Sequence, residues 1–416
     1  MSVAKDKKFK LVDISMLTTH ALSNVVSVFV STFLISYIYS ISNNYIFDIG
    51  LFYLINYLSM FFFYFLVSRI IDKTDRVTFY RMSILVRGVF IFGVIFLGQN
   101  LAKYIVLAGF LHGFSEACYW SSYNLMKNEL ISNSVIERYS LVQSFDTKGI
   151  SVIVPLILGK IIDRESFRIC AIIVFVAVIV QLIVSVFIKS KMPENSKFYF
   201  KGFLGECNNL DKEKRKLIVL SLIASVIYGT ASIIPSLNTI MIMISFESNF
   251  SLGIFTSIFA LGSMLLLIIL KKFTKLGKRS YIYYICAVLP ILATSLMLFS
   301  LNKTTVIIHT CIYTLSIILY EVGFDVMRNL ILKKFQMFDS IAEYQCSVEL
   351  GLETGRILIF LGMVVVGTLT AGFGTESLSI VMRIMSGVSI LFVVSMNICM
   401  AIYEKKFVKN INIEDW

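Results

Sequence analysis

The stretch LFYLINYLSMFFFYFLVSRIIDKTDRVTFYRMSILVRGVFIFGVIFLGQN, residues 51–100, contains two long apolar runs, a basic segment between them and an uncharged segment after them. A helix crosses the hydrocarbon of a bilayer with about 20 mostly apolar residues, because each residue adds about 1.5 Å and the helix satisfies its own backbone hydrogen bonds. Both runs are about that long. The stretch therefore predicts two membrane-spanning helices joined by a basic loop.

The same alternation continues along the whole chain. We predict twelve spans, near residues 16–40, 46–70, 79–98, 102–126, 138–162, 168–189, 216–240, 248–270, 280–300, 304–330, 343–371 and 377–402. Lys and Arg are concentrated in every second gap between spans, and we call the side of the membrane with these gaps the basic face. They are scarce in the opposite gaps, which form the bare face, except in residues 160–168. Since cationic residues favour the cytoplasmic side, we predict a multi-pass membrane protein with both termini in the cytoplasm.

The composition agrees with a membrane protein and excludes several other classes. Of the 416 residues 57% are hydrophobic and only 15% are charged. The net charge of +12 belongs to loops that face anionic lipid, so we expect no nucleic-acid partner. The chain has three His and no metal-spaced cluster, phosphate loop or nucleophile constellation, so we expect no enzyme activity, no metal and no cofactor.

The two halves of the chain follow one plan. Residues 191–215 form the one long polar loop, which divides residues 1–190 from residues 216–416. Glu116 and Glu321 are 205 residues apart, as are Asn124 and Asn329, and also Tyr139 and Tyr344. Repeats of six helices related by an axis along the membrane normal are a known transporter architecture. We therefore predict an all-α membrane protein of twelve helices in two pseudo-symmetric six-helix bundles, acting as a monomer.

The loop after span two carries a recognisable motif. Ser68-Arg-Ile-Ile-Asp72-Lys73-Thr-Asp75-Arg76 resembles the G-x-x-x-D-[RK]-x-G-[RK] signature of the major facilitator superfamily, with Ser68 and Asp75 in place of glycines. The aromatic run from Tyr119 to Asn124 resembles a Gram-positive branch of that superfamily, and this resemblance implies a bacterial cytoplasmic membrane. The resemblance implies that Asp72, Lys73 and Arg76 latch the two halves on the cytoplasmic side. Plain orientation charge is the alternative explanation for these residues.

Ionisable residues inside spans are costly in hydrocarbon, so we expect them to face a cavity or a partner. The resemblance implies that spans four, five, ten and eleven line an inner gate, and the charges placed there are Asp146, Lys148, Asp325, Arg328, Glu349 and Arg356. Static ion pairs that fix helix packing are the alternative. Arg87 in span three has no partner that the sequence identifies.

Polar and aromatic residues on the spans predict a substrate cavity. The candidates are His112, Tyr119, Trp120, Tyr123, Asn124, Asn24, Asn56, Asn238 and Asn329. Acids outnumber bases in these spans, and a carboxylate without a full partner exchanges protons near neutrality. Glu116 is therefore the first candidate for proton coupling, followed by Glu321 and Glu353. Pro235 and Asn238 predict a broken helix facing the pathway in span seven.

These features predict a secondary transporter that works by alternating access. The acid excess and the aromatic stripe favour proton-coupled export of a small cationic or amphipathic solute. Uptake of a nutrient or peptide, and flipping of a lipid-like substrate, are alternatives in which Arg328 and Arg356 bind an anionic group. A receptor on the same fold, which binds a solute without moving it, is a further alternative.

Overall fold

The computed structural model describes residues 9–71, 74–131, 135–189, 198–273, 280–300, 302–334, 341–370 and 375–408. Every predicted span coincides with a helix or a helix pair among these residues. The helices of the first half are α1 (Leu11–Val28), α2 (Ile35–Ile41), α3 (Tyr45–Ile70), α4 (Arg76–Leu97), α5 (Ile105–Leu130), α6 (Ile136–Arg164) and α7 (Phe167–Ser185). They are followed by α8 (Phe200–Asn209), α9 (Lys212–Ala231), α10 (Ile233–Phe246), α11 (Asn249–Phe273), α12 (Ser280–Phe299), α13 (Lys303–Lys334), α14 (Ile341–Leu369) and α15 (Thr375–Tyr403).

Nine stretches of the described chain are long and apolar enough to cross a membrane. One of them, Arg76–Lys127, has 52 residues and contains most of α4 and α5. The charged α6 is not among the nine, and α13 contributes a shorter apolar segment, Lys303–Ile318. The all-α, multi-pass membrane class is confirmed, whereas the number of twelve crossings and the domain boundaries stay predictions. One helix was not predicted: α8 lies inside the polar loop 191–215.

Two spans are irregular where they face the centre of the molecule. α1 continues into α2 through a π-helical turn at Phe29–Leu34, a departure that is frequent at functional sites. The predicted break in span seven is present: α9 ends at Ala231 and α10 begins at Ile233, with Pro235 in its first turn. A proline is tolerated there because the first N–H groups of a helix have no intrahelical acceptor.

Helices of one half pack on helices of the other. α3 packs along α5 in its own half and along α14 of the other, and α6 packs along α11. Glycines permit the closest crossings, because a Cβ on Gly113 would lie 2.1 Å from the carbonyl oxygen of Asn56. On α14, a Cβ on Gly355 would lie 2.0 Å from the carbonyl oxygen of Val226. Both halves thus use a glycine to bring two helices into contact beside the central cavity.

Candidate substrate cavity

A cavity of about 340 Å³ lies between the two halves, and we call it the Tyr57 chamber. Helices α1, α3 and α5 and the π-helical turn line it from the first half, and α9, α10, α13 and α14 from the second. Its described lining is Ser27, Val30, Ser31, Tyr53, Asn56, Tyr57, Met60, His112, Glu116, Trp120, Tyr228, Ala231, Ser232, Pro235, Ser236, Ile317, Glu321 and Arg356. Four aromatic rings, several hydroxyl groups and two carboxylates therefore surround one space.

A second cavity of about 310 Å³ adjoins the first, and we call it the Asn238 chamber. The two chambers share Ser31, Pro235, Ile317 and Glu321. The first uses α10 near its start and the second continues toward Ile242, closer to the end of α10 at the bare face. The Asn238 chamber therefore lies on the bare-face side of the Tyr57 chamber, with Glu321 at the junction.

The carboxylate of Glu116 has a complete set of partners. Its Oε1 accepts a hydrogen bond from Arg87 Nη2 at 2.6 Å, and its Oε2 accepts from Trp120 Nε1 at 3.0 Å. Arg87 also donates to Ser23 Oγ at 2.6 Å and lies over the ring of Tyr119. The sequence identified no partner for Arg87 and treated Glu116 as only partly paired, whereas in the structure the two side chains pair with each other because α4 and α5 turn them together.

Glu321 has a different kind of partner. Its Oε1 accepts a hydrogen bond from the hydroxyl of Tyr228 at 2.9 Å, and Glu321 lines both chambers. A tyrosine hydroxyl can donate a hydrogen bond to a carboxylate or accept one from a carboxylic acid. An arginine and an indole can only donate. The contact at Glu321 therefore survives protonation, whereas the contacts at Glu116 require the carboxylate.

The third acid, Glu353, lies behind the wall of the Tyr57 chamber. It is fully buried, and its Oε1 accepts from Arg356 Nη1 at 2.5 Å. Its Oε2 has no hydrogen-bond partner among the described residues. The guanidinium of Arg356 lies 5.1 Å from the centre of the Tyr57 ring and forms part of the chamber wall. Arg356 is therefore paired with the acid one turn before it on α14.

The structure sorts the predicted cavity residues into three groups. His112, Trp120 and Asn56 line the Tyr57 chamber, where His112 Nδ1 lies 2.7 Å from Asn56 Oδ1, and Asn238 lines the other chamber. Tyr119 and Tyr123 are buried and stack on His20 behind the wall. Asn24 donates to Thr147 at 3.0 Å, Asn124 is not among the described lining residues, and the side chain of Asn329 lies outside the described part.

The predicted cytoplasmic gate stays a prediction, and its described members lie at more than one place. Asp72 and Lys73 lie outside the described residues, as do the side chains of Asp325 and Arg328. Arg76 forms an ion pair with Glu129 on α5, within its own half. Lys148 lines the Asn238 chamber and Arg356 the Tyr57 chamber. Asp146 and Glu349 are partly exposed and are not among the described lining residues.

The two halves touch through polar contacts at the bare face. Asp163, at the end of α6, accepts hydrogen bonds from Ser248 Oγ at 2.8 Å and from the backbone N–H groups of Asn249 and Phe250, where α11 begins. Ser36 Oγ donates to Asn249 Oδ1 at 2.6 Å, and Asn44 Nδ2 donates to the carbonyl of Gly367 at 2.9 Å. We call the contacts of Asp163 the Asp163 latch. It joins a carboxylate of one half to the positive N-terminus of a helix of the other.

One wall of the cavity was not predicted from the sequence. Tyr228, Ser232 and Pro235 recur at i, i+4 and i+7 in span seven, and all three line the Tyr57 chamber. That spacing marks one helix face. Combined with the predicted break at Pro235, it was a signal sufficient to place Tyr228 in the cavity.

Comparisons with known proteins agree with this architecture. A sequence model of the Major Facilitator Superfamily matches residues 14–338. The crystal structure of the nucleoside transporter NupG is similar with a TM-score of 0.64 at 14% identity, covering 95% of this chain and 98% of that one. The D-xylose-proton symporter is similar with a TM-score of 0.67 at 11% identity, covering 95% of this chain and 97% of that one.

No curated protein gave a significant match to the sequence. The structural similarities, at 11% and 14% identity, show the fold alone. The family assignment rests on the sequence match, which covers well over half of the chain. The chain therefore belongs to the Major Facilitator Superfamily, and it is a multi-pass membrane transporter rather than an enzyme.

Proposed function

We propose that this protein is a secondary active transporter that carries a small polar organic solute through the Tyr57 chamber by alternating access and couples that movement to protons at Glu321. The observation that carries the proposal is the position of Glu321. This carboxylate lies at the junction of two chambers between the halves and is held by Tyr228. It can therefore meet both a solute and a proton.

The charges around the chambers favour a neutral or zwitterionic solute. Export of a cation was expected from an excess of acids, yet Glu116 is paired with Arg87 and Glu353 with Arg356. Lys148 lines the chamber next to Glu321. Hydroxyl and aromatic groups make up much of the remaining wall, and such groups suit a ring-bearing polar molecule. This favours the nutrient-like alternative, and the nucleosides and D-xylose named for the similar structures are suitable first test solutes.

Export of an organic cation is the second candidate. It is favoured by the aromatic rings of Tyr53, Tyr57, Trp120 and Tyr228 in the same wall as two acids, because a cation is attracted to an aromatic face. The two candidates predict opposite coupling. A symporter takes up its solute together with protons that move inward down their gradient. An exporter of this kind releases its solute outward in exchange for protons that move inward.

The proton step is assigned to Glu321 on its position between the chambers and on the chemistry of its hydrogen bond with Tyr228. Protonation of Glu116 would leave Arg87 and Trp120 facing an acid that no longer offers two anionic oxygens, and burial makes such a loss costly. At Glu321 the hydroxyl of Tyr228 can reverse its role. Glu353 is the next candidate, because one of its oxygens has no hydrogen-bond partner among the described residues.

Alternating access requires that the bare face open at another stage of the cycle. The Asp163 latch and the contact of Ser36 with Asn249 lie between the Asn238 chamber and that face. The hydrogen bonds of Asp163 are exposed and that of Ser36 is partly buried; each contributes only a small stabilisation, so they can break and re-form. We infer that they dissociate when the chambers open toward the bare face.

The test is solute counterflow in proteoliposomes at two pH values, using a panel of nucleosides, pentoses, small peptides and cationic dyes. The proposal expects saturable exchange of a neutral or zwitterionic solute and accumulation that follows an imposed proton gradient. Glu321→Gln should lose this accumulation. Glu165→Gln, which changes an exposed acid at the end of α6, is its matched control. Exchange limited to cations, driven in the outward direction, supports the second candidate, and binding without any flux contradicts transport altogether.

A further inference from the structure

We propose that the Asn238 chamber is a second subsite, which binds a neutral polyhydroxyl group of the transported solute while the Tyr57 chamber holds the rest of it. This proposal rests on the proposed function and extends it to a class of solute. The chamber is formed by α6, α10, α11 and α13 together with the π-helical turn, so both halves contribute to it.

Five hydroxyl groups of this chamber already donate their hydrogen to a backbone carbonyl. The hydroxyls of Ser151, Thr256, Ser263, Thr310 and Thr314 each donate to the backbone carbonyl four residues earlier, at distances of 2.7 to 2.9 Å. A hydroxyl that donates in this way retains its oxygen lone pairs as acceptors. At these five positions the chamber wall therefore presents hydrogen-bond acceptors, which a ligand with several donors would satisfy.

Asn238 adds an acceptor that has no partner among the described residues. Its side chain is 7% exposed, and its Oδ1 atom is buried without a hydrogen bond. A buried amide oxygen is normally paired, because the unpaired group loses its interaction with water. A ligand hydroxyl that donates to Oδ1 would restore this hydrogen bond.

The charges of the chamber select a neutral donor over a cationic one. Lys148 and Glu321 are the two charged residues in its described lining, and their formal charges cancel. An ammonium group would be attracted to Glu321 but repelled by Lys148. A group with several hydroxyls provides many donors without a charge, and it can also accept from the ammonium of Lys148.

The two chambers differ in the chemistry of their walls. The Tyr57 chamber carries four aromatic rings, whereas the described lining of the Asn238 chamber has one, Phe259. A flat or ring-shaped body suits the first chamber and a polyhydroxyl group suits the second. A solute that joins the two parts, such as an aryl glycoside or a nucleoside, would occupy both, with Glu321 beside the join.

Equilibrium binding to the purified full-length protein tests this inference without transport. Trp120 lines the Tyr57 chamber, and the other tryptophan is Trp416, so a Trp416→Phe background makes the intrinsic fluorescence report on that chamber. The probes are adenosine and phenyl glucoside, each paired with an analogue that lacks neighbouring hydroxyls, namely dideoxyadenosine and phenyl tetrahydropyranyl ether. Benzylammonium serves as the cationic probe.

We expect at least one hydroxylated probe to bind about tenfold or more tightly than its analogue, since each lost hydroxyl leaves an acceptor unpaired. Asn238→Leu with Thr314→Val should abolish that preference and leave the affinity for the analogue unchanged. Thr368→Val removes an exposed hydroxyl that makes the same backbone hydrogen bond on α14 and should have no effect. Retained binding of the analogue shows that the double variant is folded.

The inference is overturned if no hydroxylated probe binds more tightly than its analogue, if the preference survives in the double variant, or if benzylammonium binds best. These outcomes are separate from those that test transport. Hydroxyl-selective binding without flux in proteoliposomes contradicts the proposed function and supports the subsite. Flux of solutes without any preference for hydroxyls supports transport and contradicts the subsite.

Discussion

Glu116 and Glu321 occupy equivalent positions in the two halves of the chain, yet they have different surroundings. Glu116 accepts hydrogen bonds from an arginine and an indole, which only donate, and Glu321 accepts from a tyrosine, which can also accept. Both carboxylates face the Tyr57 chamber. On the proposal made above, both halves keep an acid at this position, and its partners decide whether it is a fixed charge or one that can exchange protons.

Other positions of the repeat show the same divergence. Lys148 and Glu353 are 205 residues apart, so a cation at the wall of one half corresponds to a buried acid in the other. Tyr139 and Tyr344 are both buried, but the first lies 3.2 Å from the hydroxyl of Tyr123 and the second donates to Ser221. The backbone plan is shared by the two halves, and the polar chemistry belongs to each half separately.

The largest expected effect comes from breaking the pair in the first half. Arg87 is 1% exposed and Glu116 is 15% exposed by side chain, so Arg87→Met leaves a carboxylate buried without its cation. We expect the free energy of unfolding to fall by about 3–5 kcal/mol, measured as a loss of thermal stability in detergent. Glu321→Gln keeps a side chain of the same size that can still accept a hydrogen bond from Tyr228, so it should cost much less.

The control for that prediction is the double variant Arg87→Met with Glu116→Gln. It removes both charges, so it should recover most of the stability lost in Arg87→Met. If the double variant is no more stable than the single one, the pair is not the reason for the loss, and the contrast with Glu321 fails.

A smaller effect is expected at two close helix crossings, one at a glycine of each half, which the 205-residue offset does not relate to each other. Gly113→Ala and Gly355→Ala each place a methyl group against a backbone carbonyl oxygen, and helices must separate to admit it. We expect each variant to lose about 1–3 kcal/mol of stability. Gly362→Ala is the matched control, because nothing lies within 4 Å of a Cβ there. A loss in only one of the two test variants would show that the other crossing can separate without cost.

The smallest effect is expected at the Asp163 latch, where the first half contributes an acid and the equivalent residue of the second half is Thr368. Asp163→Asn removes a charge from the N-terminus of α11, which is worth about 0.3–1 kcal/mol at an exposed site. The bare face should open more often, so a cysteine at Ser36 should react about two- to fivefold faster with an impermeant thiol reagent. Glu165→Gln should leave the rate unchanged, and an equal rate in Asp163→Asn would contradict the role of the latch.

The spans could be predicted because length and apolar character suffice to identify a membrane helix, as with residues 46–70 and α3. The pairing of Arg87 with Glu116 could not be predicted. Residue spacing describes one helix at a time, and this contact depends on how α4 and α5 are rotated relative to each other. α8 was missed since ten residues in a polar loop carry little hydrophobic signal. The cavity wall that contains Tyr228 could have been predicted, because the spacing from Tyr228 to Pro235 marks one face of span seven.

The central claim is that Glu321 exchanges the proton and that the pair of Arg87 and Glu116 does not. The most direct measurement compares gradient-driven accumulation with counterflow in proteoliposomes, because only accumulation requires net proton movement. Glu321→Gln should lose accumulation and keep counterflow, whereas Arg87→Met with Glu116→Gln should keep both. Accumulation that persists in Glu321→Gln, or that is lost only in the double variant, would contradict the account.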